Sequence, residues 1–298
     1  MLDWNTPKLS DKEWIEQCVK ESQYIGSDAA FANIYLLRSK YNIKVTYYKD
    51  LLIRYYEGLG NRKGYTFPLG RKDVLSALYA IEQDAKEMNR PLEFCFVTEE
   101  QKEILENTFA GRTESSSDAG DYDYIYGQPE LSLLSGRTYH KKKNHVSKFK
   151  RTYEDYMFCE IGNGNLDDVM LIEDEWYYDR LQQDDTSAMK EYEAIREAVD
   201  NFEELSLSGG IIYANNVPVA MTIASYINDA AVDIHFEKAV GEYAVNGGFA
   251  AINQMYASTL KDVKFINREE DINIPGLRKA KESYHPKFML KKYGMRVK

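Results

Sequence analysis

Cysteine is scarce in this chain. Three residues in 298, Cys18, Cys95 and Cys159, stand far apart and are odd in number. No Cys-x-x-Cys occurs, so neither a disulfide framework nor a thiolate zinc site is expected, and a reducing cytoplasm fits. The first residues, Met1-Leu2-Asp3-Trp4, lack a basic leader followed by an apolar run, so no secretory signal is expected. The most apolar long stretch, 210–227, is interrupted by Asn215, Asn216 and Pro218 and reads as two strands and a turn, not a membrane span. A zinc helix is missing too: His140 and His145 are five apart rather than four, and no Glu follows the first. Neither a metal nor a tightly bound cofactor is therefore expected.

A further absence is local. Between Arg137 and Arg151 there is no Asp or Glu, while Arg137, Lys141, Lys142, Lys143, Lys148, Lys150 and Arg151 all fall there. The chain as a whole is acidic, with 38 Lys+Arg against 48 Asp+Glu. Charge is segregated. Residues 154–205 hold 17 acids and only Arg180, Lys190 and Arg196 as bases, whereas 264–298 hold ten bases and four acids. Two basic segments about a hundred residues apart either converge on one anionic ligand or pair with the acidic helices. Hydrophobic content of 44% supports a sizeable core, and 24 tyrosines suit half-buried walls where the ring packs and the hydroxyl finds a partner.

Ser135 is a good N-cap, which predicts a helix over 136–153. On it Tyr139, Val146, Phe149 and Tyr153 share an apolar face, with His140, Asn144, Ser147 and Arg151 beside it. Lys142 falls inside the apolar stripe, where a cation is costly without a partner. Lys142, His140 and Asn144 are thus site candidates. The outer lysines are equally consistent with a solvated face. Elsewhere the pattern predicts helices from Asp11 and from Ser27-Asp28, and a hairpin around Lys49-Asp50. A strand at 64–67 leads to a helix ending near Asn89, then a strand at 92–97 and a helix capped by Thr98. Residues 111–121 read as a surface loop and 122–126 as an aromatic strand. A strand at 157–161 precedes acidic helices at 166–182 and 186–204. A hairpin follows around Asn215-Asn216, then a strand at 231–236. A loop at 241–248 enters a helix to 260, a short strand spans 264–266, Pro275 starts a helix, and 288–297 reads as one closing strand. Both halves repeat one order, helices, hairpin, third strand, helix, strand. This indicates an α/β chain with mixed sheets in two domains, 1–130 and 131–298, the second carrying the basic motifs.

That order looks like the GNAT acyltransferase fold in tandem. Asn246-Gly247-Gly248 and Leu69-Gly70-Arg71 stand where GNAT proteins hold a pyrophosphate on helix N-terminal amides, although a plain turn before a helix explains them as well. Two sequence blocks are more specific. Ser135-Gly136-Arg137 with Tyr139 to His145 and Phe149 is the first. Asn267-Arg268-Glu269-Glu270-Asp271 with Gly276-Leu277-Arg278-Lys279-Ala280-Lys281, Ser283-Tyr284 and Pro286 is the second. Together they resemble a bacterial family related to the C-terminal domain of phosphatidylglycerol lysyltransferase. The resemblance implies two GNAT-like domains shared with the Fem-type aminoacyltransferases. It also implies a transferase moving an acyl or aminoacyl group from an acyl-CoA or aminoacyl-tRNA donor to an amine or hydroxyl.

On the residues themselves, Arg137, His140, Lys141, Lys142, Asn144, Asn267, Arg268, Arg278, Lys279 and Lys281 are expected to bind an anionic substrate, with Asp271 and Tyr284 beside them. Glu269 could orient those bases or receive an attacking amine's proton. Asp233, His235 and Glu237 alternate on one strand and share a face, so His235 or Glu237 suits a general base. A solvent-facing polar edge is the plainer reading of that strand. A pI near 5.1 argues against general nucleic-acid affinity, yet a local basic groove could still take a tRNA acceptor end. A binding or regulatory protein that kept the fold without the chemistry is the other reading.

Overall fold

The computed structural model describes residues 2–181 and 188–298. Its first half runs α1 (Lys12–Ser22), α2 (Phe31–Leu36), β1 (Lys44–Tyr48), β2 (Leu51–Glu57), β3 (Lys63–Thr66), α3 (Leu75–Glu87), β4 (Leu92–Val97), α4 (Glu99–Thr108) and β5 (Thr113–Ser117). Then come β6 (Asp123–Gly127), α5 (Gln128–Leu133), α6 (His140–Thr152), β7 (Met157–Glu160), α7 (Leu166–Leu181) and α8 (Ala188–Asp200). The chain closes with β8 (Ser208–Ala214), β9 (Val217–Asn228), β10 (Ala231–Ala239), α9 (Gly241–Val245), α10 (Gly248–Thr259), β11 (Phe265–Asn267), α11 (Pro275–Glu282), β12 (Phe288–Leu290) and β13 (Tyr293–Val297).

Two mixed sheets result, of order β1-β2-β3-β4-β13-β5 and β12-β6-β11-β10-β9-β8-β7. Each contains one parallel pair, β3 with β4 and β10 with β11, and a helical crossover joins each pair. Both halves thus repeat the pattern read from the sequence. The hairpin tips are as expected: Lys49-Asp50 and Asn215-Asn216 all take positive φ, the geometry of a two-residue turn matched to strand twist.

The halves exchange strands. β6 precedes residue 130 yet pairs with β11 and β12 in the second sheet. β13 ends the chain yet lies between β4 and β5 in the first. Residues 288–297 are therefore two strands in different sheets, not one. The exchange also explains 111–121: β5 is an edge strand there because β13 gives it a partner that its own polar residues do not announce.

A buried ionic network ties this seam. Asp123 on β6 accepts from the Ser27 amide at 2.8 Å, the Ser27 hydroxyl at 3.0 Å, Asn267 Nδ2 at 2.8 Å and Lys292 Nζ at 2.7 Å. Lys292, between β12 and β13, also lies 3.1 Å from Asp28, which Arg54 holds at 2.9 Å. Ser27-Asp28 thus opens only a short 3-10 turn, because both side chains are committed to this network. One apolar cluster crosses the seam as well, joining Ile15, Ile34 and Tyr56 to Ile172, Ile211 and Ile223.

The basic helix begins later than its Ser135 cap suggested. α6 starts at His140, with Tyr139 at the N-cap position and no side-chain cap. The start expected for the second acidic helix, at 186, lies outside the described residues. Among the described residues no helix is long and apolar enough to cross a membrane.

Candidate functional site

α6 lies with Val146 and Phe149 buried, as the apolar stripe requires. That orientation carries Lys142 over the ring of Tyr284, with Nζ 3.7 Å from the ring centroid. Arg268, just after β11, lies over the same ring at 4.7 Å. The two basic blocks therefore meet, each contributing a cation to the π face of one buried tyrosine. Arg268 Nη2 donates to Glu237 Oε1 at 2.7 Å, and Asn253 on α10 donates to Glu237 Oε2 at 3.0 Å. Arg268 Nη1 and Asn253 Oδ1 are buried without a hydrogen-bond partner. Burial pushes the Lys142 ammonium down to about 8; Arg268 pushes it further down and Glu237 offsets part of this. One carboxylate serves two cations here, so this group of side chains is short of negative charge.

A second cluster lies on the same strand. The register of β10 against β9 slips between Ile234 and Phe236, so His235 is the extra residue of a bulge. Bulges re-aim side chains. Here the slip separates Glu237, which faces Arg268, from His235, which turns toward Asp233 and Glu269. His235 Nδ1 is 3.4 Å from Asp233 Oδ2 and 3.8 Å from Glu269 Oε1, and Nε2 is 2.8 Å from the Ser225 hydroxyl. Asn33 of α2 donates to Asp233 Oδ2 and to Glu269 Oε1, both at 2.9 Å. Burial, with Glu269 and Asp123 nearby, holds Asp233 well above the ordinary carboxylate range. Among the described residues, Asp233, His235 and Glu269 are the one group of His, Cys and acidic ligands close enough to share a metal ion.

Other expected site residues are spent inside the protein. Arg278 grips Asp271 with two bonds, Nε at 2.8 Å and Nη2 at 2.9 Å, and Asp271 also accepts from Tyr124 at 2.7 Å. Lys281 is buried and donates to the carbonyls of Arg268 and Glu270. Asn267 is fully buried, bonded to Asp123, to the Ile25 carbonyl and to the Glu269 amide. These residues shape the loop that presents Arg268 and Glu269, the latter at φ +54. Arg137, His140, Lys141, Asn144 and Lys279 are exposed, with Asn144 beside His140 at 3.4 Å.

The glycine turn is also committed. Gly247 has φ +104, and a Cβ there would stand 2.4 Å from the His145 carbonyl oxygen. Asn246 donates to Tyr153 at 2.8 Å, and Lys148 reaches the Val245 carbonyl at 3.4 Å. Gly247 and Gly248 therefore let α6 pack onto the start of α10. Where a phosphate cradle would offer amides, the turn meets a carbonyl. Beside Gly70, a cleft of about 610 Å³ has Glu99 and Glu100 in its wall against the one base Lys291, a net negative lining for an anion.

Sequence reasoning missed Asn33, Ser225, Asn253, Asp123 and Lys292. Asn33 sat in a helix read for its apolar side; Ser225 becomes a partner through the β9–β10 pairing, Asn253 through the packing of α10 on β10, and Asp123 and Lys292 through the strand exchange at the seam.

Residues 20–296 match the family model described as phosphatidylglycerol lysyltransferase, C-terminal. No curated protein matches the chain. A conserved protein of unknown function from Bacteroides thetaiotaomicron is 30% identical over all of both chains, with a TM-score of 0.94. L-PGS from Bacillus licheniformis superposes with a TM-score of 0.67 at 15% identity, over 96% of this chain and 92% of that one. FemX does so at 0.60 and 8%, over 100% and 98%. The fold is thus two GNAT-like halves of the kind found in Fem-type proteins, and the chain belongs to the family of phosphatidylglycerol lysyltransferase C-terminal domains.

Proposed function

We propose that this protein is an aminoacyltransferase that takes its donor from the 3′ end of an aminoacyl-tRNA and passes the aminoacyl group to an amine or hydroxyl. One observation carries this reading: Lys142 and Arg268 flank Tyr284 with a guanidinium N–H unspent. An anionic backbone oxygen is the partner that this pocket is short of. Two features favour RNA over acyl-CoA. The His145 carbonyl packs against Gly247 of the glycine turn, and Arg137, Lys141, Lys143, Lys148 and Arg151 are exposed bases on or just before α6, the helix that carries Lys142. Family membership and the names of L-PGS and FemX agree with aminoacyl transfer.

In the reaction the acceptor's nitrogen or oxygen attacks the ester carbonyl, a new amide or ester forms, and the ribose hydroxyl leaves. The acceptor's proton is released to water as the new bond forms, and the leaving ribose oxygen takes up a proton. Glu237 is held by Arg268 and Asn253 and so positions Arg268 rather than serving as base. Much of the rate would come from holding ester and acceptor together.

The test is incubation with a mixed aminoacyl-tRNA pool, or with acyl-CoA, and with amine acceptors or phosphatidylglycerol vesicles, read by mass spectrometry. Aminoacyl product from the tRNA pool, reduced in Arg268→Ala, is expected. Transfer from acyl-CoA alone, or no transfer and no tRNA binding, would overturn the reading.

A further inference from the structure

We propose that Asp233, His235 and Glu269 bind a first-row divalent transition-metal ion at the seam between the halves, with Asn33 at the fourth corner. The atoms stand near ligand positions, one pair at the ideal separation, one slightly wider and the Asn33 amide nearer. Metal–ligand bonds of roughly 2.0–2.2 Å in a tetrahedron place neighbouring ligand atoms about 3.3–3.6 Å apart. His235 Nδ1 is 3.4 Å from Asp233 Oδ2 and 3.8 Å from Glu269 Oε1. The Asn33 amide stands 2.9 Å from those same two oxygens.

The second argument is what these atoms lack. The His235 side chain is 1% exposed and Asp233 is fully buried, yet His235 Nδ1 and Asp233 Oδ1 have no hydrogen-bond partner. Buried polar atoms are ordinarily paired. When Nε2–H donates to Ser225, Nδ1 carries a lone pair facing two carboxylates, an arrangement a cation resolves. A ligating histidine fixed through its other nitrogen is the usual outer-shell device. The buried cations around the cluster are engaged by other groups, Lys292 by Asp123 and Asp28 and Lys281 by the carbonyls of Arg268 and Glu270. The mixed nitrogen and oxygen set suits Zn²⁺, Co²⁺ or Mn²⁺ better than Mg²⁺ or Ca²⁺. Asn33, which donates in the present arrangement, would turn its amide to offer Oδ1.

The inference does not rest on the transferase reading, and its test reads the ion directly. Tag-free full-length protein, stripped with a chelator, is titrated calorimetrically with ZnCl2, MnCl2, MgCl2 and CaCl2. Co²⁺ is followed by its visible absorption. One Zn²⁺ per chain is expected, with Mg²⁺ and Ca²⁺ at least tenfold weaker. Glu269 is partly exposed, so Glu269→Gln is expected to fold, to weaken Zn²⁺ by roughly 100-fold and to remove the tetrahedral Co²⁺ band. Ser225→Ala leaves the three ligands in place and is expected to cost about tenfold, through loss of the imidazole's outer partner. Absence of Zn²⁺ and Mn²⁺ binding, which is the result if a proton alone bridges the cluster, would overturn the proposal. So would binding that Glu269→Gln leaves unchanged, or a preference for Mg²⁺ or Ca²⁺.

Discussion

Lys142 gives a prediction in which the sign is as informative as the size. Its ammonium has dropped from 10.5 to about 8 through burial and the Arg268 charge. That corresponds to about 3 kcal/mol against the charged form. The lysine is only partly buried, so roughly half, ~1.5 kcal/mol, is the portion that an anion could return. An anion bound between Lys142 and Arg268 raises the lysine again, so the complex holds more protons than the free protein above pH 8. Affinity should be nearly level below about pH 7.5 and fall by roughly fivefold as pH rises from 7.5 to 9. Lys142→Met keeps the hydrocarbon over Tyr284 and removes the charge. It should weaken binding at pH 7 by 10- to 100-fold, the range for a hydrogen bond to a charged group, and should flatten the pH profile. The assay is fluorescence anisotropy with a labelled RNA minihelix ending in the acceptor sequence, whose phosphodiesters keep their charge over pH 7–9. A flat profile in the unaltered protein, or the same slope in Lys142→Met, would refute the argument.

Two further outcomes follow from the packing. Gly247→Ala puts a methyl 2.4 Å from the His145 carbonyl at a φ of +104; it should cost about 2 kcal/mol or more in urea unfolding and, by lifting α6, weaken RNA binding alongside stability. Lys292→Met leaves Asp123 without a cation and Asp28 with Arg54 alone. A loss of about 3–5 kcal/mol is expected, read as a lower thermal midpoint, with stability recovering in part in Lys292→Met/Asp123→Asn.

The sequence made one half of the site legible and hid the other. Lys142 stood out because a cation in an apolar stripe demands an explanation, and the explanation is the Tyr284 ring. Arg268 and Glu269 stood out as charges in a specific block. Within that block the sequence did not distinguish residues that face a ligand from residues that hold the loop. Arg278 and Arg268 look alike as letters, but Asp271 claims the first with two bonds, while the second keeps an N–H unspent. The bulge at His235 escaped too. Simple alternation put His235 and Glu237 on one face, and one slipped residue sent them to different partners.

The exchanged strands explain why the second cluster could not be found half by half. Asp233 and His235 come from β10, Glu269 from the loop after β11, and Asn33 from α2 of the other half. Asn33 reaches the two carboxylates because the Ser27–Asp28 turn just before α2 is fastened to Asp123 of β6 and to Lys292 at the entry to β13. Both fastenings are on segments whose sheets differ from those of their sequence neighbours. A chain that folded as two independent halves would leave Asp123 and Lys292 unmatched and Asn33 remote. The strand exchange is therefore what brings the amide of one half onto the carboxylates of the other.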